Sequence, residues 1–141
     1  MSRSQAGSPQ AAVVEAFIGA VNRHDLAGLS SLMAPDHSFV DPAGRAHAGR
    51  ERMIEGWRDY FRMFPDYRVT AERILSDGPL VAVFGSATGT YNGRRGLVAE
   101  NTISMPAAWK AVVEDGLVRS WQVYADWTEG MKTIERDRDS A

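Results

Sequence analysis

Residues 38–44 read Ser-Phe-Val-Asp-Pro-Ala-Gly, a short apolar strand that ends on a carboxylate immediately before a proline. An aspartate in this position often closes an Asx turn at the end of a strand. At the rim of an apolar pocket, the same Asp41 would be partly desolvated, which raises proton affinity and suits acid/base chemistry. The residues alone leave both interpretations open.

Two helices are predicted before this stretch. Apolar residues recur at helical spacing over 13–21, and a second amphipathic pattern follows over 26–33. Asp25 is a suitable N-cap for the second helix, and Pro35 is expected to end the helix pair.

A third helix is predicted over 50–64, where it stops at Pro65, and from Tyr67 onward the apolar residues alternate as in strands. Turn signals divide the remainder into three further strands, over 80–91, 97–113 and 117–128. Pro106 predicts a bulge or a break in pairing within the second of these. The fold class is therefore α+β, with three N-terminal helices packed in a curved, mostly antiparallel sheet that leaves a pocket at its open end.

Composition excludes several classes of function. The 141 residues are 44% hydrophobic and 24% charged, with sixteen Lys and Arg against eighteen Asp and Glu, so no strong field favours nucleic acid or a membrane surface. No apolar run is long enough to span a membrane, and a cytoplasmic protein is expected. The chain has no cysteine, its three histidines lack paired spacing, and it has no nucleotide-binding loop. We therefore expect neither a metal nor an organic cofactor.

Domain boundaries follow from the two ends of the chain. Residues 1–9 are small and polar and predict a flexible segment, and residues 132–141 predict a charged, featureless tail. One domain is expected over 10–131.

The order of elements resembles the nuclear transport factor 2-like superfamily, in particular its SnoaL-like branch, which contains polyketide cyclases and is related to ketosteroid isomerases and limonene epoxide hydrolases. The segments that carry the resemblance are 22–26 (Asn-Arg-His-Asp-Leu), 38–44, 49–51 (Gly-Arg-Glu), 64–69 (Phe-Pro-Asp-Tyr-Arg-Val), and the ending over 113–118 and 121–126. This fold hosts enzymes as well as non-catalytic binders.

The resemblance implies that Asp41 is a general base, because the isomerases place their base on a strand that ends in Asp-Pro-x-Gly. The isomerase pattern also includes a tyrosine and a second acid as donors to the developing oxyanion. Here Phe17 stands at the position of the tyrosine, and the position of the second acid falls near Trp109. These departures argue against steroid isomerisation by that mechanism.

Epoxide hydrolysis is also disfavoured. The epoxide hydrolases need an arginine and two aspartates on later strands, whereas the matching positions here are 84–88 and Val123. SnoaL-type cyclases place an acid on the last strand, which makes Asp126 a second catalytic candidate. Period-two counting predicts that Asp126 points away from the face that holds Val123 and Ala125, and its rival role is backbone hydrogen bonding at the end of the sheet.

Several side chains are expected to line a cavity for a small hydrophobic molecule, flat or polycyclic in shape. The predicted substrate-binding residues are Phe17, Phe39, Trp57, Tyr60, Phe61, Trp109 and Val123. His47 follows Asp41 in the loop, within reach of the pocket mouth.

Two functions are compatible with these residues. The first is a cofactor-free cyclase or isomerase acting on an enolisable, polycyclic or aromatic carbonyl compound. The alternative is a non-catalytic ligand-binding or accessory domain of the same fold. In both cases the resemblance implies a homodimer formed through the outer sheet face.

Overall fold

The fold is described here for residues 7–140 of a computed structural model. Within this range the chain forms four α-helices and six strands. The helices are α1 (Pro9–Asn22), α2 (Leu26–Leu32), α3 (Arg50–Met63) and α4 (Thr128–Arg138). The strands are β1 (Met33–Val40), β2 (Ala46–Ala48), β3 (Arg68–Asp77), β4 (Leu80–Thr90), β5 (Thr102–Glu114) and β6 (Leu117–Tyr124), and a short 3₁₀ helix spans Ala99–Asn101.

Side-chain caps and one glycine determine where the first three helices begin. The Ser8 hydroxyl oxygen accepts a hydrogen bond from the backbone N–H of Ala11, ahead of a proline at the first position of α1. Asp25 caps α2 in the same way, by accepting from Gly28 at 2.9 Å, as the sequence predicted. Gly49 precedes α3 with a φ of 106°, a conformation that strongly favours glycine.

One six-stranded sheet has the order β2-β1-β6-β5-β4-β3. Every neighbouring pair is antiparallel except β1 and β6, which are parallel. A bulge at Glu72 bends β3, and Gly85 lies opposite it, where a Cβ atom would collide with the carbonyl oxygen of Thr70. The sheet curls around the helices, which confirms the α+β cone.

The main core lies between α1 and the concave face of the sheet. Phe17 is fully buried and packs on Trp121 with ring centroids 4.7 Å apart, and Trp121 stacks on Trp109 at 6.3 Å. These rings close the bottom of the cone, so any cavity must lie above them, towards α3 and α4.

Two local predictions are wrong, and a third is met in one of its two forms. The β4–β5 register runs past Pro106 without a bulge, but pairing with β6 ends at Ala108, so the break in pairing occurs on that side of Pro106. Met33 begins β1 instead of ending the second helix, because its burial and backbone hydrogen bonding belong to the sheet. Part of the loop between Asp41 and Gly49 forms β2.

The predicted ends of the domain also change. The prediction of a featureless tail is wrong for residues 132–138, which lie in α4. At the other end, Pro9 was assigned to the flexible segment but is the first residue of α1. The rest of the predicted flexible segment, residues 1–6, lies outside the described residues. No helix in the described range is both long and apolar enough to cross a membrane.

Candidate functional site

A cavity of about 890 Å³ lies between α3, the concave face of the sheet and α4. Its lining is mostly apolar and rich in rings. The aromatic lining residues are Phe39, Trp57, Tyr60, Phe64, Tyr67, Trp109, Trp121 and Trp127. A volume of this order is typical of small-molecule sites, and so many rings suit a flat ligand.

The structure brings most of the predicted site residues together. Phe39, Trp57, Tyr60, Trp109 and Val123 all line this cavity. Alternation along β5 and β6 produces this, because every second side chain of each strand faces the concave side. Asp41, Asp126 and His47 also line it.

Phe17 and Phe61 do not line the cavity, and their prediction as binding residues is wrong. Phe17 is enclosed beneath Trp121 in the core. Phe61 turns away from the cavity to stack on His24, with ring centroids 4.0 Å apart and an interplanar angle of 8°. Helical spacing places a residue on the buried face of a helix but does not distinguish the core from a cavity wall.

Asp41 lies at the mouth of the cavity, and 24% of its side chain is exposed. Its Oδ1 accepts from the backbone N–H groups of Ala43 and Arg45, each at 3.0 Å, which is the Asx turn considered above. Its Oδ2 lies 3.1 Å from Nε2 of His47.

These contacts set the protonation of Asp41. The hydrogen bond from His47 and those from Arg45 and Ala43 lower the pKa of the Asp41 carboxyl below its ordinary value, against a smaller opposing effect of burial. The expected net rise in the pKa of Asp41 does not occur, because hydrogen bonding outweighs desolvation. A carboxylate held in this way is a weak proton acceptor but a good partner for an imidazole.

His47 stands on β2 beside the ring of Phe39, with centroids 6.2 Å apart. Its Nε2 faces Asp41, and no hydrogen bond to its Nδ1 is made by the described residues. A carboxylate on one ring nitrogen favours the tautomer with the proton on that nitrogen and leaves a lone pair on the other. The pair therefore has the arrangement of an oriented base.

Asp126 lies two residues beyond the end of β6, so strand alternation no longer fixes its direction, and it lines the cavity despite the prediction that it points away. Its Oδ1 accepts from the backbone N–H of Thr128 at 2.9 Å and from the Thr128 hydroxyl at 2.6 Å. The hydroxyl bond and then the backbone bond lower the pKa of Asp126. Asp126 thus makes the backbone hydrogen bond of its rival role, at the start of α4.

Helix α4 covers one side of the cavity, a feature that the sequence interpretation missed. Met131 and Ile134 of this helix line the cavity, together with Trp127, which directly precedes it. Their spacing of four and three residues is a helical signal that was present in the sequence. The charged residues between them obscured it.

A buried polar cluster fastens α4 to the loop between β4 and β5. The Asp137 carboxylate accepts from the backbone N–H groups of Arg94 at 2.6 Å and Arg95 at 2.9 Å, and from Nδ2 of Asn101 at 3.0 Å. Asn101 is fully buried, and its Nδ2 also donates to the carbonyl oxygens of Tyr91 and Gly96. We call Asp137, Asn101 and this loop the α4 anchor.

Two phenols meet in the cavity wall. The rings of Tyr60 and Tyr67 pack edge-on, with centroids 4.9 Å apart and an interplanar angle of 84°. Burial raises the pKa of both, that of Tyr67 to about 12. The nearby Tyr67 phenol further raises the pKa of Tyr60, and the Tyr60 hydroxyl lowers that of Tyr67. Helical spacing predicted Tyr60 as a cavity residue, whereas Tyr67 was assigned to a strand and not to the site.

Among residues 7–140, no three His, Cys, Asp or Glu side chains are grouped so as to hold a metal ion. The ionisable groups that line the cavity include the imidazole of His47, the carboxylates of Asp41 and Asp126 and the phenols of Tyr60 and Tyr67.

Several solved structures share this fold. A putative polyketide cyclase from Xanthomonas campestris pv. campestris aligns with a TM-score of 0.79 at 17% identity, covering 89% of this chain and 96% of that one. A hypothetical protein with a ketosteroid isomerase-like fold from Catenulispora acidiphila DSM 44928, in complex with trimethylamine, aligns with a TM-score of 0.75 at 21% identity, covering 86% of this chain and 90% of that one. TerC co-crystallised with polyporic acid aligns with 0.77 at 21%, covering 91% and 99%.

At these identities the structural likeness establishes the fold alone. No curated protein sequence matches the chain. The family model described as the SnoaL-like domain matches residues 14–121, which include both β1 with Asp41 and most of the cavity wall. This chain belongs to the SnoaL-like domain family.

Proposed function

We propose that this protein is a cofactor-free SnoaL-like enzyme that cyclises or isomerises an aromatic or polycyclic carbonyl compound by moving a proton. The observation that carries the proposal is the Asp41–His47 pair at the mouth of a ring-lined cavity. An apolar cavity with a few placed polar groups is the usual form of a small-molecule site.

In the proposed step, Nδ1 of His47 takes a proton from a carbon next to the ligand carbonyl, leaving an enolate. Asp41 holds the imidazole through Nε2 and stabilises the imidazolium that forms. In an isomerisation, the imidazolium returns the proton to another carbon of the conjugated system. In a cyclisation, the enolate carbon attacks a second carbonyl, and the proton goes to the resulting alkoxide.

This assignment changes the role predicted for Asp41. Three hydrogen bonds already occupy its carboxylate and lower its pKa, so the proposal makes His47 the base and Asp41 the group that orients it. Asp126, bonded to Thr128, has a similarly lowered pKa, and we assign it no proton transfer.

The relatives support a small-molecule ligand. TerC, which shares the fold, was crystallised with polyporic acid, and the Catenulispora protein with trimethylamine. The putative polyketide cyclase from Xanthomonas supports the cyclase class.

The test is solvent-deuterium exchange into 2-tetralone, a two-ring ketone with enolisable protons, followed by NMR in D₂O. We expect the protein to accelerate exchange, and His47→Gln and Asp41→Asn each to lower the protein-dependent rate on the order of a hundredfold. Asn at position 41 retains an Oδ1 acceptor for the Ala43 and Arg45 N–H groups, so the turn is preserved while the charge is removed.

Asp59→Asn is the matched control, because Asp59 is an exposed α3 residue that pairs only weakly with Arg62. Its rate should equal that of the wild-type protein. Exchange that is unchanged by either pair variant would reject the proposed roles.

The second candidate is ligand binding without turnover. It is favoured by the Asx turn and lowered pKa of Asp41 and by Phe17, which leaves α1 without the isomerase tyrosine. Binding of 2-tetralone with no protein-dependent exchange would select this candidate over the enzyme.

We also infer a homodimer formed through the outer face of the sheet. Phe84 and Tyr124 are both about half exposed, and both are register partners of Ala108 on β5. They form an apolar row on the face opposite the cavity, as the family resemblance leads us to expect.

A further inference from the structure

The Tyr60–Tyr67 pair is not used by the proton-transfer step. Both side chains line the cavity, and Trp57 packs edge-on against Tyr60 with centroids 6.0 Å apart. The two rings pack edge-on, and the Tyr67 hydroxyl makes no hydrogen bond to another described residue, so its proton is available to a group in the cavity. A phenol in an apolar wall with a free donor is a recognition element for a ligand oxygen.

The pair lies far from Asp41 in the topology. Asp41 directly follows β1, and Tyr67 directly precedes β3. In the sheet order, β6, β5 and β4 separate these strands, which amounts to roughly 19 Å along the curved sheet at the usual strand spacing. The two polar positions therefore lie towards opposite edges of the sheet that forms the cavity wall, and a ligand that contacts both must extend across the cavity.

We propose that Tyr67, supported by Tyr60, donates a hydrogen bond to an oxygen at the far end of an elongated aromatic ligand and so determines specificity for oxygenated rings. The inference rests on the proposed function for the ligand class, but it concerns recognition and not proton transfer. The oxygen it recognises is remote from the carbon that reacts at His47.

The protonation state of the two phenols also supports their role as hydrogen-bond donors. Because burial raises the pKa of both phenols, they remain donors across the physiological range. A donor that lacks a partner in an apolar wall disfavours a hydrocarbon at this position and favours a carbonyl or hydroxyl oxygen.

Two probes of nearly equal shape test the proposal. 2-Acetylnaphthalene carries a carbonyl oxygen, and 2-isopropenylnaphthalene has a CH₂ group in its place. We expect the wild-type protein to bind the ketone more tightly than the hydrocarbon in equilibrium dialysis. Tyr67→Phe should weaken ketone binding about fivefold, the order of one net hydrogen bond, and change hydrocarbon binding less than twofold. Tyr60→Phe should have a smaller effect in the same direction, because it keeps the ring that packs against Tyr67 and removes only the neighbouring hydroxyl.

An infrared measurement reads the hydrogen bond directly. The carbonyl stretch of bound 2-acetylnaphthalene should lie at lower frequency in the wild-type protein than in Tyr67→Phe. Tyr124→Phe is the control, because Tyr124 lies on the sheet face opposite the cavity and Phe keeps its ring there, and it should match the wild type in both assays.

Equal weakening of both probes by Tyr67→Phe, or an unchanged carbonyl stretch, would overturn the donor assignment and leave the proposed function standing. Failure of both probes to bind the wild-type protein would contradict the aromatic cavity site and the proposed function together.

Discussion

The α4 anchor provides a direct test of why a helix covers the cavity. Asn101 is fully buried and donates through Nδ2 to Asp137 and to the carbonyl oxygens of Tyr91 and Gly96, while its Oδ1 accepts from Nη2 of Arg95 at 3.1 Å. Asn101→Ala removes all of these contacts and leaves the buried acceptors short of donors. We expect α4 to loosen and the protein to lose stability.

The magnitude follows from the number of partners. A buried acceptor that loses its donor costs about 1–3 kcal/mol. The Tyr91 carbonyl oxygen loses its donor, whereas Asp137 keeps two backbone N–H donors and the Gly96 carbonyl oxygen keeps the N–H of Val98. We therefore expect a loss of roughly 2–4 kcal/mol in the free energy of unfolding. For a chain of this size that corresponds to a fall in Tm of about 6 °C or more.

Urea denaturation measures the loss, and amide hydrogen exchange locates it. Exchange should accelerate first in α4 and in the loop before β5. Asn92→Ala is the matched control, because Asn92 lies in the same loop with an exposed side chain, and its effect should stay within about 0.5 kcal/mol. If Asn101→Ala costs less than 1 kcal/mol, or if α4 exchanges no faster, the anchor does not hold the helix in place.

Three further outcomes are expected. His37 is fully buried with no partner for Nε2 among the described residues, and burial lowers its pKa from 6.5. Because the unfolded chain therefore binds one more proton than the folded chain at low pH, the free energy of unfolding should fall as pH drops below about 6.5, by at most ~1.4 kcal/mol per pH unit. Urea titrations of His37→Phe should show a shallower slope, and an identical slope would exclude this origin. Phe84→Glu should convert the dimer to a monomer in light scattering, and a wild-type monomer would contradict the proposed interface. Gly85→Ala should lower Tm by several degrees, because the added Cβ meets the Thr70 carbonyl, and an unchanged Tm would show that the bulge yields freely.

The sequence predicted the fold well because periodicity is a local signal. Alternation placed Trp109 and Val123 on the concave face, and the turn residues at 76–79 and 114–116 correctly marked two hairpins. Prediction from sequence failed where contacts between distant segments determine the secondary structure. Met33 joined a strand because β6 lies beside it, although its spacing matched the preceding helix.

The site was less predictable, because its chemistry depends on contacts between distant elements. Asp41 was identified by motif, but its lowered pKa depends on how the loop folds back to bring His47 to its Oδ2. Phe17 and Phe61 carry the same helical signal as Trp57, and only the packed sheet separates core rings from lining rings. The charged residues of α4 mask its apolar stripe in the sequence. The hydrogen bond from Asn101 to Asp137 that holds the helix in place joins residues far apart in the chain, so the sequence does not reveal it.

The most direct test of the central claim is the position of a bound ketone relative to His47. Intermolecular NOEs from 2-tetralone to the wild-type protein would measure it in solution. We expect the aliphatic protons of the ketone to show NOEs to the ring protons of His47, and its aromatic protons to show NOEs to Trp57 or Trp109. A ketone that contacts these tryptophans with no NOE to His47, or that contacts only outer-face residues such as Phe84, would contradict proton transfer at the Asp41–His47 pair.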